Sequence, residues 1–136
     1  MKPLTVYIMN CDRPEADLPL PTIMESVGGE KLVESFVLMP DRNLADIVKS
    51  CETDWYMYLF SNEFLSGELT KALPVLMESE FDAWIMFERR KDNKGEYKYG
   101  LSPRLFKKQI ELVDMLPLLP TKDSIERILD GFVEQS

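Results

Sequence analysis

Apolar runs and amphipathic stretches alternate along the first two thirds of the chain. Leu4–Met9 (LTVYIM) is apolar and β-branched, the composition of a strand buried on both faces. A link with Pro14, Pro19 and Pro21 follows, then a short helical segment, Thr22–Val27, stopped by Gly28-Gly29. Ser35–Met39 reads as a second buried strand ended by Pro40. Leu44, Ile47, Val48 and Cys51 recur at the spacing of one helix face, with Asn43 as N-cap. Asp54–Phe60 is the third strand. A helix capped by Ser66 presents Leu69, Ala72, Leu73, Leu76 and Met77, with Pro74 forcing a kink or a restart. Phe81–Phe87 is the fourth strand.

Beyond it, Asp92-Asn93-Lys94-Gly95 is turn chemistry, so Tyr97–Tyr99 is expected to return antiparallel in a hairpin. Ser102-Pro103 is read as opening a helix with Leu105, Phe106, Ile110 and Val113, interrupted at Pro117 and Pro120. A last helix from Asp123, boxed by Glu126, would bury Ile125, Ile128, Leu129, Phe132 and Val133. This βαβαβαβ order predicts one α/β domain over residues 1–136. Its expected form is an open, mostly parallel sheet with flanking helices, plus a β-hairpin.

Composition narrows the chemistry. The 45% hydrophobic fraction supports a globular chain rather than a disordered one. With no histidine, imidazole-based catalysis and imidazole-ligated metals are excluded, and an oxygen-only metal site would favour Mg²⁺ or Mn²⁺. Cys11 and Cys51 form neither a disulfide framework nor a metal-type spacing. No apolar run approaches the roughly 20 residues of a membrane span. The N-terminal apolar stretch ends at Asn10–Arg13, too short for a secretory leader, so the expected location is the cytoplasm.

The formal net charge is −8, which opposes nucleic-acid binding through a broad basic face. Yet Arg89, Arg90, Lys91, Lys94, Lys98, Arg104, Lys107 and Lys108 face only Asp92 and Glu96 within residues 89–108. Eight cations against two carboxylates leave that segment near +6 and the remainder near −14. The segment is either a solvated hairpin or the contact surface for a phosphate, an acidic acceptor or a protein partner.

Thr53–Ser66 (TDWYMYLFSNEFLS) joins the third strand to a polar loop and resembles the strand and acidic loop of GT-A glycosyltransferases of the family 2 type. Thr5–Arg13 (TVYIMNCDR) is similar to that family's first strand and nucleotide loop. Arg42-Asn43-Leu44-Ala45 is similar to its "A-R-N-x-A" helix start, and Pro103–Lys107 (PRLFK) to a "P-R-L-F-R" motif of a related subgroup. The resemblance covers residues 4 to 108 in patches. It implies a GT-A, Rossmann-like fold that binds a nucleotide sugar and transfers the sugar to an unknown acceptor. Carried over, Asn10, Asp12, Arg13, Asp41, Arg42 and Asn43 become nucleotide contacts and Arg104 a diphosphate or acceptor contact. Glu63 and Asn62 become ligands of Mn²⁺ or Mg²⁺. The chain departs from the pattern at the metal motif, where Phe60 and Asn62 replace aspartates. Asp82, Glu88, Asp92 and Glu96 are the carboxylates available as a base, with none singled out. The alternative is a catalytically inactive module of the same type that binds a protein or nucleic acid through the basic hairpin.

Overall fold

A computed structural model describes residues 1–9, 19–39, 44–113, 116–118 and 124–135. The described elements run β1 (Leu4–Met9), α1 (Leu20–Ser26), α2 (Gly29–Leu32), β2 (Val33–Leu38), α3 (Leu44–Val48), β3 (Trp55–Phe60), β4 (Glu63–Leu65) and α4 (Gly67–Met77). They continue with β5 (Ala83–Lys91), β6 (Tyr97–Lys107), β7 (Glu111–Val113), β8 (Leu116–Leu118), β9 (Ile125–Arg127) and β10 (Val133–Gln135).

β1 and β3 follow their sequence pattern, whereas the second strand, expected to be buried, lies at the edge of the sheet with Glu34, Ser35 and Leu38 exposed. β1 lies between β2 and β3, parallel to both. Its side chains alternate between two cores, as the period of two along a strand requires. Leu4, Val6 and Ile8 face one core with Ile23 of α1 and Leu69, Leu73 and Leu76 of α4. Tyr7 and Met9 face the other with Leu44 and Val48 of α3 and Ile110 and Leu112 near β7. Pro74 sits inside α4, which continues through it.

The expectation of an open, mostly parallel, Rossmann-like sheet is corrected by the C-terminal half. The sheet order is β2-β1-β3-β6-β5-β10-β4, with β9 also on β5. The pairs β3–β6, β5–β6 and β10–β4 are antiparallel. The sheet is strongly curled into a half-barrel, and strands outweigh helices in the chain. Both helices expected after residue 100 are replaced by strands where the structure describes them. Leu105 packs into one core and Phe106 into the other. That is strand alternation on β6, which lies between β3 and β5 with both faces covered. In place of the last helix, β9 and β10 lie one after the other along β5, and Leu129 is exposed. Asp123, the expected cap, lies outside the described residues.

Two local features lock the curl. Ser66 and Phe132 exchange hydrogen bonds: the Ser66 N–H donates to the Phe132 carbonyl, and the Phe132 N–H to Ser66 Oγ. Gly131 beside them has φ +86°, and a Cβ there would lie 2.7 Å from Ser66 Oγ, so the close approach requires glycine. The second feature is a bulge in β6. Leu105 pairs with Trp84 and Pro103 with Ile85, which leaves Arg104 out of register and re-aims its side chain. Among the described residues no helix is long and apolar enough to cross a membrane.

Candidate functional site

Arg104 is 2% exposed and Glu63 is fully buried. β3 pairs with β6 only from Trp55 to Met57, and beyond that ladder the strands part. The Arg104 guanidinium occupies the gap. Its Nη1 donates to the Tyr58 carbonyl at 3.3 Å and to Glu63 Oε1 at 2.6 Å. Its Nη2 reaches Glu63 Oε2 at 2.8 Å and Glu88 Oε2 at 2.9 Å, and Nε donates to Ser102 Oγ at 2.6 Å. Rings of Tyr58 and Phe60 lie 4.8 and 5.8 Å from its centre.

Glu63 is held as completely. Besides the two-pronged contact with Arg104, Oε1 accepts the Phe60 N–H and Oε2 accepts Gln135 Nε2. One arginine thus ties β3, β4, β5 and β6 together, and Gln135 adds β10. Burial by itself would lower the Arg104 pKa; the hydrogen bonds and charge of Glu63, helped by Glu88, outweigh it and raise it. The cation is permanent at any working pH.

Asn62 and Glu63, the residues carried over to a metal site, therefore differ in standing. Asn62 is half-buried in the turn between β3 and β4. Each Glu63 oxygen already accepts two hydrogen bonds, so a divalent ion would have to displace Arg104. The described residues include no cluster of three or more metal-type side chains. The geometry described does not fit Mn²⁺ or Mg²⁺ at this loop. Arg104, carried over as a diphosphate contact, faces inward to carboxylates. Asn10, Asp12, Arg13, Asp41, Arg42 and Asn43 lie outside the described residues. Of the carboxylates considered as a base, Glu88 binds Arg104 and Asp82 faces Lys107 at 3.6 Å. Asp92 Oδ1 accepts the N–H groups of Lys94 and Glu96 and shapes the hairpin turn.

The basic segment also divides. Arg104 is internal, Arg89 is clasped by Glu134 at 2.6 and 3.0 Å, and Lys107 faces Asp82. Arg90, Lys91, Lys94 and Lys98 remain exposed around the hairpin tip. The only carboxylate within ion-pair reach of these four, among the described residues, is Asp92, 3.9 Å from Lys98. Strand register sorts the two faces of the tip. Lys91 lies opposite Tyr97, Arg89 opposite Tyr99 and Phe87 opposite Leu101, while Arg90 lies opposite Lys98 and Glu88 opposite Gly100. Phe132 packs beneath the first face, 5.8 Å from the Tyr99 ring and 4.2 Å from the Arg89 guanidinium. Tyr97, Tyr99 and Leu101 are nevertheless 45%, 63% and 47% exposed. On the other face an open cleft of about 250 Å³ is lined in part by Arg90, Lys98, Gly100 and Gln135.

No protein-family model matches this chain, and no curated protein is similar to it in sequence.

Sequence reasoning singles out Glu63 and Arg104 but not their partnership. Glu88 enters it only as a candidate base, and Gln135 not at all. No local signal could pair residues 41 positions apart. The exposed aromatic row has a signal: Tyr97, Tyr99 and Leu101 alternate directly after a turn, which is the period of a strand face.

The buried phenols give a pH test of the fold. Burial raises the Tyr58 pKa above its ordinary value, with Arg104 opposing, and burial followed by Cys51 raises that of Tyr7. A raised phenol pKa means that the folded chain holds its proton more tightly. The associated stability is complete below about pH 10, where unfolded tyrosine ionises, and is lost as pH rises toward the folded values. Tyrosinate absorbance from these two rings should appear together with loss of the far-UV spectrum, above about pH 10. Full tyrosine ionisation near pH 10 with a native spectrum would contradict it.

Proposed function

We propose that this protein is an interaction module whose working surface is the β5–β6 hairpin and whose partner is a protein with an acidic segment. The observation that carries this reading is the separation of charge. Arg104, Lys107 and Arg89 face carboxylates, Lys108 is exposed at the base, and Arg90, Lys91, Lys94 and Lys98 are exposed around the tip beside uncovered aromatic side chains. Arg89, fixed by Glu134 beneath Tyr97, stiffens the strand without contributing free charge. An acidic chain suits four cations at one tip; a nucleic acid needs a longer basic track to offset about −14 elsewhere. The test is fluorescence anisotropy with labelled polyglutamate and a single-stranded oligonucleotide of equal charge. Polyglutamate should bind more tightly, and the binding should weaken as salt is raised from about 50 to 200 mM. Tighter binding of the oligonucleotide would overturn the choice of partner.

A second reading keeps the nucleotide sugar, without a metal at Glu63. The order β2-β1-β3, all parallel, brings three carboxyl ends together. The Met39 N–H donates to the Ile8 carbonyl and the Ser61 N–H to the Met9 carbonyl. Parallel strands flanking a first strand on both sides form the kind of edge where nucleotides bind. Asn10–Arg13 and Asp41–Asn43 follow two of those ends in sequence. Thermal unfolding against UDP-, GDP-, dTDP- and CMP-sugars, with and without Mn²⁺, tests it. One nucleotide at about 100 times its dissociation constant should add about 2.7 kcal/mol, a rise of several degrees, without Mn²⁺. No shift with any would end this reading, and a shift only with Mn²⁺ would overturn its metal-free form.

A further inference from the structure

The outer edge of β6 is open along the hairpin. Between Tyr97 and Ser102 its inner edge is paired with β5, whereas β3 meets β6 only from Leu105 onward. Among the described residues no strand pairs with that outer edge, and Tyr97–Leu101 are exposed. Alternate residues of an edge strand direct backbone N–H and C=O groups outward, which makes it a template for another strand. Natural edges are commonly guarded by an inward charge, a proline or a cover; here Pro103 and the inward Arg104 stand just past Ser102, and the guard does not extend over Tyr97–Ser102 among the described residues. Tyr97, Tyr99 and Leu101 project on one face. Lys98 and Gly100 lie on the other, with Arg90 across from Lys98.

We infer that β6 binds its partner by strand addition, taking an extended peptide in which acidic and apolar residues alternate. The inference rests on the hairpin being the working surface, and it adds the mode of binding and the sequence pattern recognised. Backbone hydrogen bonds to Tyr97–Ser102 would supply the common part of the affinity, and alternate side chains the selection. On one face of the added strand, apolar residues lie beside Tyr97, Tyr99 and Leu101. On the other, a glutamate or aspartate lies beside Lys98, where opposite charges on neighbouring strands attract, with Arg90 one strand further in. Gly100 leaves room on that face: among the described residues a Cβ there would meet Glu88, at 3.5 Å, whose carboxylate is held by Arg104. A second copy of this chain would offer Lys98 rather than a carboxylate on that face of the same edge.

The probe is the heptapeptide acetyl-Glu-Val-Glu-Val-Glu-Val-Glu-amide, titrated into the full chain. It is compared with a peptide of the same composition whose glutamates are grouped, and with two forms N-methylated at alternate residues in either phase. The alternating peptide should bind at least tenfold more tightly than the grouped one and than one of the methylated forms. It should also slow hydrogen exchange at alternate amides of Tyr97–Ser102. If both methylated forms and the grouped peptide bind as well as the alternating one, strand addition is wrong, whereas hairpin recognition of acid stands on its polyglutamate result. Failure of all four peptides to bind while polyglutamate does would equally overturn it. Self-association in sedimentation that protects the same amides without any peptide would assign the edge to a second copy and overturn it too.

Discussion

Arg104→Ala should lower the melting temperature by about 10–15 °C, the largest effect of any single substitution at the site. The guanidinium is buried, and its removal leaves Glu63 charged and fully enclosed, with Gln135 and one backbone N–H as its remaining partners. Breaking one side of a buried ion pair costs about 3–5 kcal/mol. At this chain length each kcal/mol shifts the midpoint by about 3 °C. The loss also opens the gap between β3 and β6, because the Tyr58 carbonyl loses its donor. Glu88, partly exposed, can turn toward water, so its loss of Arg104 adds less.

The companion variants separate a pair energy from general damage. Glu63→Gln keeps the shape and leaves Arg104 its contact with Glu88, so it should cost less than Arg104→Ala. Arg104→Met combined with Glu63→Leu should recover part of the loss, since an apolar pair of similar volume carries no desolvation penalty. Chemical denaturation of the parent, Arg104→Met, Glu63→Leu and the double variant closes the cycle that gives the coupling energy. An Arg104→Ala midpoint within about 3 °C of the parent protein would show that the network is not what holds the curl.

Replacing Arg90, Lys91, Lys94 and Lys98 together by glutamate should reduce polyglutamate binding at least a hundredfold while leaving the fold intact. All four side chains are exposed, and among the described residues their one close carboxylate is Asp92, 3.9 Å from Lys98. A surface pair of that kind contributes little to stability. A hundredfold change corresponds to about 2.7 kcal/mol over four sites, within reach of exposed charges acting together at low salt. Arg89 is left in place because its loss would free Glu134 and disturb β10. Undiminished binding by the fourfold variant, with native circular dichroism, would remove the hairpin as the working surface.

Several elements are legible in the amino-acid sequence alone. β1, β2, β3, α4 and the first part of β5 announce themselves because their neighbours are supplied locally or by parallel partners, so composition and period agree. The turn at Asp92–Gly95 is as plain, since its chemistry is contained within five residues. The C-terminal half misleads for a definite reason. Arg104-Leu105-Phe106 fits a helix as well as a strand in isolation. Only the placement of β6 between β3 and β5 fixes Leu105 in one core and Phe106 in the other. Ile125 and Val133 likewise satisfy a helical face on paper, yet each pairs into the sheet on a different part of β5.

The same division runs through the site. Composition alone rules out imidazole chemistry and locates the concentration of cations in residues 89–108, and local pattern makes Glu63 and Arg104 stand out from their surroundings. Tertiary structure decided what those residues do to one another. Whether a glutamate is free to hold a ligand depends on which cation lies within hydrogen-bond reach of it, and that is a property of strands brought together from distant parts of the chain. The pairing of β3, β5 and β6, rather than any motif, commits Glu63 to Arg104, and among the described residues it leaves the hairpin edge uncovered.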